Sequence, residues 1–147
     1  MALIPGNDAV LILTDGGDGS RTLSSYVKKI TMNFKARTLV DVTCMGDAGR
    51  TWASDDLEDG TFSVDFVVDD GTNTVWDTLF DPTVGLRVAT AAKAFEIGPK
   101  GSTATYPKFS GTCWLEDAPI PVAVGELMMC TATFKVDGAV TDGAYSA

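Results

Sequence analysis

A chain of 147 residues with 20 acidic and 11 basic side chains carries a net charge of −9, and one domain over residues 1–147 is expected. That charge repels phosphate backbones and anionic lipid surfaces, which excludes a reader of nucleic-acid sequence and a membrane-surface protein. "MALIPG" lacks the basic start of a secretion signal and no apolar run approaches a membrane span, so no membrane anchor is expected.

Period-two alternation dominates the chain. "AVLILT" (9–14) reads as a short strand, followed by the loop "DGGDGSRTLSSYV" (15–27). "DGGDGS" fails as a calcium loop, because glycines stand at the third and fifth positions and Tyr26 at the twelfth. "KKITMNF" (28–34) sets Ile30, Met32 and Phe34 against Lys29, Thr31 and Asn33. Residues 41–60 read as a long loop: Asp41 and Val42 end a strand, Met45-Gly46-Asp47 make a turn, and Arg50 begins an arm.

"TFSVDFVVD" (61–69) puts Phe62, Val64, Phe66 and Val68 on one face, with Ser63, Asp65 and Asp69 on the other. In "TNTVWDTLFDP" (72–82), Val75, Trp76, Leu79 and Phe80 form a helical stripe, with Thr74 as cap and Pro82 as stop. "AFEI" (94–97) is a further short strand, and "GPKGST" (98–103) lacks phosphate-loop spacing. "KFSGTCWLE" (108–116) directs Phe109, Cys113 and Leu115 to one side, with Gly111 among them. After a loop at 117–126, "LMMCTATFKV" (127–136) opposes Met128, Cys130, Ala132, Phe134 and Val136 to Thr131, Thr133 and Lys135. These strands predict a mainly β, antiparallel domain with one short flanking α-helix and long loops.

The chain contains no histidine, which removes Ser-His-Asp and Cys-His catalysis and imidazole-ligated zinc. Cys44 therefore lacks its usual activating base, and Asp41 and Asp47 oppose a thiolate there. Cys113 and Cys130 fall on apolar strand faces, so the cysteines are expected to be reduced and mostly buried. The acid clusters at 54–59 and 67–70 lack the surrounding aromatics on which a glycosidase stacks sugar, and they read as solvated faces. No enzyme activity, cofactor or metal is expected.

The order of segments carries a resemblance. "LSSYVKKITMNF" is followed by "LVDVTCMGDAGR", "LEDGTFSVDF" and "VWDTLF", then "YPKFSGTCWLED", "APIPVAVGEL" and a final strand ending "DGAVTDG". Over roughly residues 20–142 this resembles the major tail tube proteins of long, flexible-tailed (siphovirus-like) bacteriophages and phage-like particles.

The resemblance implies an antiparallel β-sandwich or barrel-like domain with a flanking helix. It implies a structural virion protein, made and assembled in the host cytoplasm, whose copies form hexameric rings that stack into a hollow tail tube. Its partners would be further copies of itself, a tape measure protein, a tail terminator, and double-stranded DNA in transit. Residues 41–60 would be the inter-subunit loop, with Asp41, Met45, Gly46, Asp47, Arg50, Trp52 and Leu57 at the subunit or ring interface. Asp65 and Glu96, on polar strand faces, would line an acidic lumen that repels phosphate, with Lys135 competing. The alternatives are a head decoration or tail terminator module, or a type VI-like secretion tube subunit. A carbohydrate- or receptor-binding domain presenting Trp52, Trp114 and Tyr106 is a further class.

Overall fold

The computed structural model describes residues 8–35, 38–55, 59–72 and 74–145. The strands are β1 (Val10–Thr14), β2 (Ser20–Thr22), β3 (Val27–Lys35), β4 (Thr38–Asp41), β5 (Trp52–Asp55), β6 (Asp59–Val67), β7 (Lys93–Gly98), β8 (Pro107–Asp117) and β9 (Met129–Ala144). A helix, α1 (Val75–Phe80), lies between β6 and β7. Seven strands form an antiparallel sheet in the order β2-β1-β7-β8-β9-β6-β3, and β4 and β5 make a separate two-stranded sheet.

The large sheet turns back on itself, as its aromatic contacts show. Three strand spacings separate β6 from β7, which is about 14 Å in a flat sheet. Yet the Phe62 ring of β6 lies 4.7 Å from Phe95 of β7, and 4.8 Å from Phe134 of neighbouring β9. Likewise Phe34 of β3 reaches Phe109 of β8 at 5.4 Å. The alternation read from the sequence supplies the inner face: Phe62, Val64, Phe66, Cys130, Ala132 and Phe134 are all buried. Leu11, Leu13, Phe95 and Ile97 join it from β1 and β7. Gly111, opposite Phe95, leaves room for that ring; a Cβ there would sit 3.2 Å from it.

Helix α1 adds Val75, Thr78 and Leu79 to this core. Two details of the expected helix differ. Trp76 is 39% exposed and packs its ring on Phe80, while Thr78 takes a buried position. Thr74 occupies the cap position, but its hydroxyl donates back to the Asp69 and Gly71 carbonyls, both at 2.7 Å, closing the preceding turn.

Three stretches depart from the loop and strand limits expected. Residues 15–27 contain β2 and a short 3-10 turn at Ser24–Tyr26. Asp15 folds the glycine-rich turn around itself: its carboxylate accepts the Gly17 and Gly19 amides at 2.9 and 2.8 Å and pairs with Arg21 at 3.2 Å. Residues 41–60 contain β5, the second strand of a hairpin. Strand β9 begins after Met128 and continues beyond Val136. Gly138, at φ +84, sits in an irregularity opposite β8, so the Asp-Gly pair bends the strand without ending it.

Phe134→Ala removes a ring that fills the space between the two halves of the curled sheet. It should cost about 3–5 kcal/mol, read as a lower urea midpoint with an unchanged slope. A loss below about 1 kcal/mol would contradict this packing.

Candidate assembly surfaces

The hairpin β4–β5 leaves the sheet where β3 ends and β6 begins. Its register places Leu39 opposite Ser54, Val40 opposite Ala53 and Asp41 opposite Trp52. Residues 39–54 are exposed throughout. Leu39 and Trp52 share one face and Val40 lies on the other, so both faces carry uncovered apolar groups. A hairpin without a core of its own is marginal in water, and local polar bonds hold this one.

The candidate interface residues divide into two roles. Asp41 accepts hydrogen bonds from the amide and hydroxyl of Thr43 and pairs with Arg50 across the hairpin. The Thr51 amide donates to the Thr43 hydroxyl at 2.9 Å, which closes the same end. At the tip, Asp47 accepts the Cys44 amide at 2.7 Å and returns its own amide to the Cys44 carbonyl at 3.1 Å. Gly46 stands there at φ +97, where a side chain would be strained. Asp41, Gly46, Asp47 and Arg50 thus shape the arm, whereas Met45 and Trp52 project from it, 104% and 54% exposed. Leu57 lies outside the described residues. Cys44 is exposed at the same tip, unlike the buried Cys113 and Cys130.

The polar face of the large sheet is the second surface. Thr31, Ser63 and Thr133 lie side by side across β3, β6 and β9, and Asn33, Thr61 and Lys135 form an equivalent row. Asp65 stands on the same face opposite Lys29, and the Thr131 hydroxyl donates to it at 3.0 Å. Glu96 pairs with Lys108 at 3.1 Å. Sequence reading found the two acids but missed these partners. Lys29 and Lys108 acquire their meaning only when strand register sets them beside a carboxylate.

No family model matches the chain, and no characterised protein matches it by sequence. Solved structures do. A chain in the tail of an empty gene transfer agent particle, obtained with helical refinement and C6 symmetry, superposes at TM-score 0.71 and 15% identity, covering 97% of this chain and 100% of that one. The SPP1 tail tube gives 0.70 at 13% identity, covering 99% and 81%. A chain of an extracellular contractile injection system sheath–tube complex gives 0.65 at 10% identity, covering 97% and 92%. The chain has the fold that these tail and tube proteins share.

The arm's geometry has consequences for thiol reactivity and for pH. Ellman's reagent should react quickly with one thiol of the native protein, Cys44. Burial pushes the Cys113 thiol up to about 12, and burial with Asp117 and Asp65 nearby pushes Cys130 up to about 11. These two should react only after unfolding, and fast reaction of a second thiol would contradict their burial. Hydrogen bonds from Thr43, together with Arg50, hold the Asp41 carboxyl below its ordinary 3.8. Their contribution to arm order is therefore fully present above that value and lost as pH falls through the lowered one. The Thr43 amide resonance should report the transition; an amide indifferent to Asp41 titration would count against the tie.

Proposed function

We propose that this chain is the structural subunit of a hollow tail tube, assembled as stacked hexameric rings in the tail of a virion or phage-like particle. The observation that carries this reading is the match over nearly the whole chain to the gene transfer agent tail and the SPP1 tail tube. The role is structural rather than catalytic. The partners are other copies of the chain, with a tape measure protein and a tail terminator inside and at the end of the tube.

The two surfaces support distinct parts of that role. The arm presents Met45 and Trp52 to a neighbouring subunit, on a hairpin whose apolar groups are left uncovered among the described residues. The polar sheet face, with Asp65 and Glu96, lines the channel. There the two acids sit beside a threonine and two lysines, so the face is hydroxyl-rich and close to charge-balanced. With Lys135 set in a row with Asn33 and Thr61, the lysines of this face are spaced among hydroxyls and carboxylates, which suits passage of DNA without retention.

A second reading follows from the sheath–tube match: the tube belongs to a contractile injection particle and carries something other than DNA. The two readings share the subunit's structural role and differ in cargo.

Cα register places Lys35 opposite Asp59 at the base of the arm, so a short Gly-Ser linker can replace residues 38–55 without moving β3 or β6. The shortened protein should keep the far-UV spectrum of the native fold and stay monomeric in sedimentation velocity. The native protein at high concentration should give hollow tubes in negative stain. Full-length tubes from the shortened protein would refute the connector role of the arm.

A further inference from the structure

We propose that the apolar turn at 119–128 is the seat on which the hairpin arm of a copy in the adjacent ring docks. The inference rests on the tube reading above and names the partner surface of the arm.

The turn is built and held in place, not loosely attached. Ala118 and Ile120 pack against the core, the Pro119 carbonyl accepts the Thr131 amide at 3.4 Å, and the Met128 carbonyl accepts the Val68 amide at 3.0 Å. Between these anchors, Gly125 at φ +82 turns the chain, closed by the Glu126 amide to the Ala123 carbonyl at 3.4 Å. The turn projects Val122, Val124 and Leu127, which are 76%, 105% and 77% exposed. Aliphatic side chains held out by an anchored turn form a patch that a solitary soluble protein has no use for.

Its place in the fold indicates the occupant. Strand β6 starts at Asp59, where the arm returns to the sheet, and ends at Val67, which pairs with Met129 just beyond the turn. Strand β8 ends at the same side, at Asp117. The arm and the turn therefore lie at opposite ends of β6, about 30 Å apart by strand rise. In an assembly that repeats along an axis, one end of each copy meets the other end of the next, so the contact joins two different surfaces. This chain carries two uncovered apolar surfaces in that relation.

Charge agrees with the pairing. Arg50 is the sole cation in residues 38–55, and Glu126 is the sole charged residue in 118–128. Arg50 uses one edge of its guanidinium on Asp41 and remains 73% exposed. Two turns meeting each other would instead bring Glu126 against Glu126. The occupant of the turn is thus the arm of a second copy, not a second turn.

Val124→Cys tests the contact against the native Cys44. Under oxidation, at concentrations that give tubes, a head-to-tail contact links copy to copy and yields a ladder on non-reducing gels. Cys44→Ser in the same background should abolish the ladder. A dimer band alone would show a reciprocal contact and overturn the proposal. Tubes seen by electron microscopy without any ladder would overturn it while leaving the tube reading intact; a native protein that never assembles would overturn both. Leu127→Asp provides a second measurement. It should leave the monomer's spectrum unchanged and raise the critical concentration for tubes by more than about tenfold. Tubes forming at the native concentration would overturn the docking.

Discussion

The curl of one sheet is the constraint on which the other features depend. With Phe62 in contact with both Phe95 and Phe134, β6 is held against β7 although three strand spacings separate them along the sheet. That closure gives a chain of this length a core without a second independent sheet. It also turns Leu11, Phe62, Phe95 and Phe134, from four of the strands, to the interior, and leaves Thr31, Ser63, Thr133 and Lys135 on the outward face. Connections between strands must then leave at the two ends, and there the chain places its arm and its apolar turn.

The arm shows how a segment without a core keeps its shape. Its order comes from a few polar bonds: Asp41 to Thr43 and Arg50 at the base of the loop, and Asp47 to Cys44 at the tip. These groups work in water, where exposed pairs contribute little individually. They do fix register, and register decides which apolar side chains share a face. Asp41 and Asp47 are therefore engaged within the arm, and the side chains it leaves exposed are apolar ones together with the outer edge of Arg50.

The long alternating strands were legible in the sequence because burial on one face leaves a period of two, as in β6 and the first half of β9. The short strands were not. Ser20–Thr22 has three residues, too few to show a period, and is a strand because β1 lies beside it. Strand β5 is exposed on both faces, so no burial pattern marks it. The far half of β9 was hidden by Asp137-Gly138, letters that form a turn in isolation and an irregularity when β8 supplies a partner. In the arm, Trp52 stood out in the sequence as an apolar side chain on a polar loop, whereas Met45 read as part of a turn; both are exposed in the structure. The apolar turn was passed over as loop, although Ile120, Val122 and Val124 alternate within it; its proline and glycine content masked a surface that only exposure reveals.

Net charge proves a poor guide to any one surface. The chain carries −9, yet Asp65 and Glu96 on the polar sheet face lie beside Lys29 and Lys108. Many of the remaining acids sit outside the large sheet: Asp69 and Asp70 before α1, Asp77 in it, Asp81 after it, and Asp47 on the arm. Coulomb repulsion between copies would be strongest if these acids faced one another across a contact, and it falls away within about 10 Å at ordinary salt. A stacked assembly therefore favours contacts made by segments with few charges. The turn at 118–128, with a single carboxylate among eleven residues, is such a segment, and the arm opposite it has its only cation where that carboxylate can meet it.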